Sequence, residues 1–205
     1  MSRRIFLIRH AEPDFPGGEK YILGRTDMPL GENGRAQAAR LGAFMADRPV
    51  SRVFASSLSR AAETARAISE EVTVLDGLRE MDAGDWDGLP FSVIRAQWAE
   101  LFEARGRDGR LRIPHSEELS VGQARFAEAM EEALGMTDGD IAIVAHTTVI
   151  QSYIARLTDG ELDARCAEKT PYCSVYELIQ DGERITPTAL WLPGEYGEYT
   201  ARSLG

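Results

Sequence analysis

The sequence predicts an α/β sandwich with a mostly parallel central sheet. Residues 5–8 and 140–145 are short runs of mainly apolar residues, as is typical of strands buried on both faces of a sheet. Segments with helical spacing of apolar residues alternate with the predicted strands, a pattern that favours a parallel sheet with helices packed on it. The chain has 205 residues, of which 43% are hydrophobic and 27% charged. We therefore expect one globular domain over residues 1–205.

The first predicted strand, residues 5–8, is followed directly by Arg9 and His10. Ligands of open α/β sheets bind beyond the carboxyl ends of the strands, so these two side chains are candidates for a binding site. A loop of roughly residues 11–33 follows and is rich in glycine and proline. A loop of this length inside a compact domain is usually functional. Helical spacing then predicts a helix that ends before Pro49.

Two further strands are predicted at residues 52–55 and 72–75, and an alanine-rich helix lies between them. Arg60 stands near the start of that helix. A second loop, residues 78–88, contains Glu80. Both loops follow predicted strands, so each of them can contribute side chains to a site at the sheet edge.

Helix-like sequence then runs from about residue 91 to 105, with no further insertion that would obviously form a lid over a site. We interpret the basic stretch at residues 105–110 as a solvated turn. Ser120 and Gln123 fit a capping box at the start of the next helix.

The last third of the chain contains the clearest buried strand after the first. Residues 140–145 form this strand and bring His146 to its carboxyl end, and Thr147 begins another helix. Two segments, residues 174–179 and 184–192, flank an Asp-Gly pair and predict a β-hairpin.

Net charge and apolar run lengths exclude several classes of partner. The formal net charge is −10 at pH 7, which argues against nucleic acid or an anionic membrane as a partner. No apolar run reaches the length of a membrane span, and the N-terminus lacks a signal-peptide pattern, so we expect a cytoplasmic protein. Cys166 and Cys173 lack metal-site spacing and are expected to be reduced, structural thiols. Neither the oligomeric state nor the natural substrate can be read from these features.

Candidate functional residues stand at the ends of three predicted strands. His10 and His146 end two of them, and Arg60 follows a third. If these strands are neighbours, two imidazoles and the guanidiniums of Arg9 and Arg60 meet at one edge of the sheet. Such a cluster of donors suits a tetrahedral dianion such as phosphate. Backbone N–H groups at the helix start near Thr147 are further candidate donors.

These residues carry a family resemblance. Arg9-His10-Ala11-Glu12 resembles the Arg-His-Gly-Glu signature of the histidine phosphatase superfamily, also called phosphoglycerate mutase-like proteins. Further segments are similar to the family's later motifs in the same order: residues 24–30, 57–65, 78–88, 114–118 and 144–146. The resemblance covers most of the chain and implies a three-layer α/β/α sandwich, phosphoglycerate mutase-like. The loop at residues 78–88 is similar to the phosphatase branch that includes alpha-ribazole phosphatases and broad-specificity phosphatases.

The resemblance also implies roles for individual residues. His10 would be the nucleophile and would form a phosphohistidine, and Glu80 would be the general acid and base. The transferring phosphoryl group would be bound by Arg9, Arg60 and His146, with His146 also counted as catalytic. Thr147 is added as a phosphate-binding candidate because it stands at the predicted helix start. Weaker candidates for contact with the rest of a small phosphate monoester substrate are Arg25, His115 and Glu117. No metal and no cofactor is expected.

Four residues depart from the family pattern. Ala11 replaces a glycine, which would be harmful only if its φ were positive. Pro13 replaces a hydroxyl residue, Pro16 stands where many relatives carry asparagine, and Thr147 replaces a glycine. None of them belongs to the set of His10, Glu80 and the phosphate-binding arginines, so they affect the substrate assignment more than the chemistry.

Three alternatives to a phosphatase remain open. One is a cofactor-dependent phosphoglycerate mutase, although the Glu-Arg-His-Tyr-Gly loop of those enzymes is absent. Another is a metal hydrolase built on His10, His115 and His146, although no local ligand spacing supports it. The third is a catalytically silent module that binds phosphorylated ligands.

Overall fold

The computed structural model describes residues 2–108, 111–158, 170–194 and 198–204. Within these ranges the strands form one seven-stranded sheet. In chain order they are β1 (Arg3–Arg9), β2 (Arg52–Ala55), β3 (Val72–Val74), β4 (Ile141–Ala145), β5 (Val175–Asp181), β6 (Arg184–Pro193) and β7 (Tyr199–Ser203). Their order across the sheet is β3-β2-β4-β1-β5-β6-β7. The first four strands run parallel and the last three are antiparallel additions.

The register of the central strands brings two predicted site residues together. β1 and β4 are parallel neighbours, with Arg9 opposite Ala145. His10 and His146 are the next residues along the two strands, and the His10 N–H donates to the Ala145 carbonyl at 3.0 Å. The two histidines are therefore adjacent at the carboxyl edge of the parallel half of the sheet.

Helices cover both faces of the sheet, which gives the predicted three layers. They are α1 (Glu32–Ala46), α2 (Ser59–Arg66), α3 (Phe91–Gln97), α4 (Ala99–Arg107), α5 (Leu119–Gly135) and α6 (Thr147–Leu157). Helices α1 and α2 pack on the face that carries Phe6 and Ile8. Helices α5 and α6 pack on the opposite face, against Ile5 and Leu7. Because β1 alternates between two buried faces, its four central residues are all apolar.

The segment between β3 and α5 differs from the sequence-based expectation. The single helix predicted at residues 91–105 is two helices that meet at Trp98. Arg105 and Arg107 belong to the last turn of α4 rather than to a solvated turn, and residues 109 and 110 lie outside the described ranges. Both helices contribute to a separate small core around Trp86. Ile22, Trp86 and Ile113 of this core also line a cavity beside Glu80. The expectation that no insertion forms a lid stays a prediction.

Two further details were not anticipated correctly. The capping box is wrong, because α5 begins at Leu119 and has no side-chain cap. Ser120 already lies inside the first turn, and the Gln123 amide donates to the Ser152 carbonyl of α6 instead. Strand β7 was not predicted, whereas the hairpin of β5 and β6 is confirmed.

Two sequence-based expectations concern membrane-spanning helices and the state of the cysteines. Among the described residues, no helix is both long and apolar enough to cross a membrane. Cys173 is a buried free thiol, and burial raises its pKa to about 12. A thiol in that state is protonated and unreactive at neutral pH. Cys166 lies outside the described residues.

Candidate active site

His10 is held so that one ring nitrogen is available for chemistry. Its side chain is buried, with 6% exposure. The Nδ1 atom lies 2.6 Å from the Ala11 carbonyl oxygen. A carbonyl oxygen can only accept a hydrogen bond, so Nδ1 carries the proton and Nε2 keeps its lone pair. The backbone next to the histidine thus sets the tautomer that a nucleophile attacking through Nε2 requires.

Both histidines are neutral in this environment. Burial lowers the pKa of His10 well below 6.5, and the positive charges of Arg60 and Arg9 lower it further. Burial, followed by Arg60 and His10, likewise lowers the pKa of His146 well below 6.5. The two ring centroids are 5.0 Å apart, so protonation of one ring disfavours protonation of the other. At neutral pH the pair therefore offers one uncharged nucleophile and one uncharged hydrogen-bonding partner.

Arg60 and Arg9 are anchored by backbone carbonyl groups. Arg60 is fully buried and donates from Nη1 to Thr26 O at 2.9 Å and from Nη2 to Gly24 O at 3.0 Å. Arg9 donates from Nη1 to the Thr170 carbonyl. Burial lowers the pKa of both guanidiniums, yet an arginine remains charged at physiological pH. These bonds hold the two positive charges beside His10 before any ligand arrives.

The predicted phosphate-binding residues share one further property. Each carries a buried polar atom that has no hydrogen-bond partner in the structure: Arg9 Nε, Arg60 Nε, His146 Nδ1 and Thr147 Oγ1. Buried polar groups are normally satisfied, so such atoms call for an explanation. Arg9, Arg60 and His146 lie close enough to act on the His10 ring, and Thr147 follows His146 in the chain. The oxygens of a tetrahedral anion could accept hydrogen bonds from these atoms.

Glu80 joins the cluster from the loop that follows β3. It is 8% exposed, and its negative charge acts on both Arg9 and Arg60. Its Oε2 accepts the Thr148 N–H at 3.0 Å, and its Oε1 accepts the Val149 N–H at 3.2 Å and the Met81 N–H at 3.0 Å. The carboxylate thus occupies the start of α6. The N–H groups of Thr148 and Val149 are engaged there and are not the additional phosphate donors that the sequence suggested.

Two cavities are lined in part by residues of this cluster. The cavity beside Glu80 and Thr148 has a volume of about 520 Å³ and walls that include Ile22, Trp86 and Ile113. The other, beside Arg9 and Thr147, has a volume of about 850 Å³. Both volumes are in the range of small-molecule sites.

The three weaker substrate candidates have different surroundings. Glu117 lines the cavity beside Glu80, but Arg125 donates to it through Nε and Nη2, each at 3.0 Å. Burial alone would raise the pKa of Glu117, and the bonds from Arg125 lower it overall. Arg25 lies 3.4 Å from the same carboxylate. His115 is 83% exposed and pairs with Asp85 at 2.8 Å, so the structure does not bring it to His10 and His146.

A metal site finds no support in the described ranges. Within them, no group of three or more histidine, cysteine, aspartate or glutamate side chains is arranged to hold a metal ion. The metal-hydrolase alternative also requires His115 beside His10 and His146, and the exposed position of His115 does not provide that arrangement.

Comparison with protein families matches residues 5–191 to the histidine phosphatase superfamily (branch 1). The chain belongs to this superfamily. The enzyme class expected from the sequence, a histidine-type phosphatase that hydrolyses phosphate esters, is confirmed at this level.

Individual relatives support the same assignment. The chain is 31% identical over 163 residues to the adenosylcobalamin/alpha-ribazole phosphatase of Salmonella typhimurium, covering 75% of this chain and 79% of the relative. It is similar in structure to Bacillus stearothermophilus YhfR, with a TM-score of 0.82 at 26% identity over 90% of this chain and 95% of the other. Mycobacterial glucosyl-3-phosphoglycerate phosphatase superposes with a TM-score of 0.79 at 25% identity, covering 91% of this chain and 97% of the other.

One departure from the superfamily pattern, Ala11, fits the structure locally. Ala11 is buried, and its N–H donates to the Thr64 hydroxyl at 2.9 Å. Among the described non-glycine residues, positive φ angles occur at His115 and Cys173, and hence not at Ala11. Alanine is therefore compatible with the backbone at this position.

Sequence reasoning missed two neighbours of the histidines. Ser56 is fully buried, and its Oγ lies 2.8 Å from His146 Nε2. The Tyr172 ring lies 5.7 Å from the His10 ring, and the Arg9 guanidinium stacks 4.0 Å from the Tyr172 ring centre. Ser56 follows directly after β2, so its place at a strand end was the signal that could have identified it.

Proposed function

We propose that this protein hydrolyses small phosphate monoesters through a phosphohistidine on His10, with Glu80 as general acid and base. The observation that carries the proposal is the set of unpartnered buried polar atoms on Arg9, Arg60, His146 and Thr147 around a neutral imidazole. A phosphoryl group would supply acceptors to all of them. The superfamily membership makes phosphate esters the chemically matching ligand.

In the first step, His10 Nε2 attacks phosphorus and the bond between phosphorus and the ester oxygen breaks. Glu80 must be protonated for this step, because its carboxyl group gives the proton that the leaving oxygen takes as it departs as an alcohol. The Nδ1–H bond to the Ala11 carbonyl persists and stabilises the positive charge that develops on the ring. The guanidiniums of Arg9 and Arg60 compensate the charge on the non-bridging oxygens.

In the second step, water attacks the phosphohistidine. Glu80 accepts the proton of the water, the bond between phosphorus and Nε2 breaks, and inorganic phosphate forms. This restores the neutral imidazole and the protonated carboxyl group, so the cycle balances without an external reagent. Because two arginines and two histidines surround the phosphoryl group, we further propose that no metal ion takes part, and that dialysis against EDTA leaves the rate unchanged.

The leaving group would extend into the cavity beside Glu80, since a general acid must lie next to the oxygen it protonates. The walls of that cavity include Ile22, Trp86 and Ile113. Contacts of the leaving group with Arg25, Glu117 or His115 remain predictions.

A phosphoglycerate mutase uses the same intermediate and is the main alternative. It must protect the phosphohistidine from water and return the group to a bound acceptor. Residues of the small core around Trp86 line the cavity beside Glu80, so enclosure alone does not separate the two activities. The absence of the Glu-Arg-His-Tyr-Gly loop at residues 78–88 favours the phosphatase.

The test is a panel of phosphate monoesters with phosphate release as the readout, run beside 3-phosphoglycerate with a trace of 2,3-bisphosphoglycerate. We expect release from several monoesters and little interconversion of phosphoglycerates. Rapid interconversion with negligible release would establish the mutase instead. Phosphate binding without either reaction would favour a silent binding module.

A further inference from the structure

The contact between Ser56 and His146 has a specific chemical consequence. Both residues are fully buried, and Ser56 Oγ lies 2.8 Å from His146 Nε2. Ser56 follows β2 and His146 follows β4, so the pairing of these neighbouring strands places the two side chains together. No solvent reaches the pair, so every polar hydrogen in it requires a partner from the protein or from a ligand.

Only one direction of this hydrogen bond satisfies both residues. Ser56 Oγ already accepts the Leu58 N–H at 3.3 Å, and its own O–H still needs an acceptor. Within the described ranges, His146 Nε2 is the hydrogen-bonding atom that the structure places next to that hydroxyl. If Nε2 carried the proton, the serine O–H would be buried without an acceptor, at a substantial energetic cost. The serine therefore donates to Nε2.

A histidine that accepts at Nε2 carries its proton on Nδ1 when the ring is neutral. Burial, followed by the charges of Arg60 and His10, lowers the pKa of His146, so the neutral ring is the relevant form. Its Nδ1 atom is buried and has no hydrogen-bond partner among the described residues. An Nδ1–H group is thus left to donate to a ligand.

We propose that Ser56 is a positioning residue that selects the Nδ1–H tautomer of His146 and so makes this ring a donor to the phosphoryl group. Arginine side chains are donors in every protonation state that they reach in proteins, but a neutral histidine presents either a donor or a lone pair. In the other tautomer the lone pair of Nδ1 would face an acceptor-only phosphoryl oxygen and repel it. The inference rests on the proposed function, because it assigns the phosphoryl group as the acceptor.

The tautomer can be read directly from two-bond ¹H–¹⁵N correlations of the histidine rings at neutral pH. The chain contains three histidines, and His115→Gln and His146→Gln variants assign the signals. We expect His146 in the Nδ1–H form in the wild type and a loss of that preference in Ser56→Ala. An Nε2–H ring in the wild type, or an unchanged ring in Ser56→Ala, overturns the proposal.

Binding of inorganic phosphate and turnover provide the functional readout. Loss of one hydrogen bond to a charged ligand predicts that Ser56→Ala weakens phosphate binding and lowers kcat/KM, each by about tenfold. Ser57→Ala is the matched control, because the neighbouring hydroxyl is exposed and bonds to Asp76 at 2.6 Å. It should leave both quantities unchanged, and Ser56→Thr, which keeps a hydroxyl, should retain the tautomer and most of the affinity.

Equal losses of affinity in Ser56→Ala and Ser57→Ala, or a loss in Ser56→Ala with the ring still in the Nδ1–H form, would contradict the positioning role. If the wild type released phosphate from no monoester, the proposed function would fail. The ring spectrum and the affinity for inorganic phosphate would still decide the tautomer.

Discussion

Replacement of Glu80 by glutamine probes the acid and base role with almost no change of shape. The carboxylate accepts three backbone N–H groups, those of Met81 and Val149 at Oε1 and that of Thr148 at Oε2. A glutamine amide has one acceptor oxygen and one NH₂ donor. Its best orientation keeps the two bonds at the Oε1 position and turns the NH₂ group toward the Thr148 N–H.

The structure therefore predicts the loss of one hydrogen bond, that from the Thr148 N–H to the charged carboxylate, which costs about 1.5–3 kcal/mol. For a chain of this length that corresponds to a fall in Tm of roughly 2–4 °C per kcal/mol. The loss of proton transfer has a larger effect and should lower the rate by about 10²–10⁴-fold. Glu128→Gln, the same chemical change at an exposed position of α5, should alter stability by less than about 0.5 kcal/mol.

Rapid-quench kinetics with two esters isolates the acid role. An alkyl phosphate needs a proton on its leaving oxygen, whereas 4-nitrophenolate departs without one. Glu80→Gln should therefore slow phosphorylation of His10 strongly with the alkyl ester and weakly with 4-nitrophenyl phosphate. Phosphoenzyme should accumulate with the second ester, because hydrolysis lacks its base. Equal losses with both esters, or a wild-type rate, would refute the assignment even if Tm falls as expected.

Three further predictions follow from individual contacts. His10→Ala should abolish turnover, and it should lack the acid-labile, base-stable phosphate expected on the wild-type protein after quenching. Wild-type activity in this variant would exclude the mechanism. Burial and the neighbouring arginines lower the pKa of His10 and of His146 well below 6.5, so the unfolded chain binds more protons than the folded chain below that pH. The free energy of unfolding should therefore fall as the pH drops below 6.5. An equally steep fall in His10→Asn would count against this cause. Arg125→Met leaves the Glu117 carboxylate, only 12% exposed, without its main partner. We expect urea denaturation to show that the free energy of unfolding falls by roughly 2 kcal/mol, against less than about 1 kcal/mol for Arg112→Met in an exposed ion pair. Similar losses in the two variants would argue against burial as the reason.

Local sequence was sufficient for most of the secondary structure, and it failed where local signals are weak. The central strands β1 and β4 contain runs of buried apolar residues, because strands buried on both faces exclude polar residues. Strand β7 lacks that signal, since four of its five residues are exposed. The break at Trp98 was missed because helical spacing continues across it. Trp98 has the non-helical angles φ −131° and ψ 41° and packs against the small core around Trp86.

The sequence by itself determined the chemical inventory of the site: an arginine and a histidine after one strand, a histidine after another, and an arginine and a glutamate in the following segments. Only the tertiary structure decided how these groups act. The place of β4 between β1 and β2 brings His10, His146 and Ser56 together, although Ser56 and His146 are 90 residues apart in the chain. The pairing of Glu80 with the start of α6 was equally hidden. Motifs specify which groups are present, but hydrogen-bond direction, tautomer and burial depend on contacts between distant segments, which no local pattern encodes.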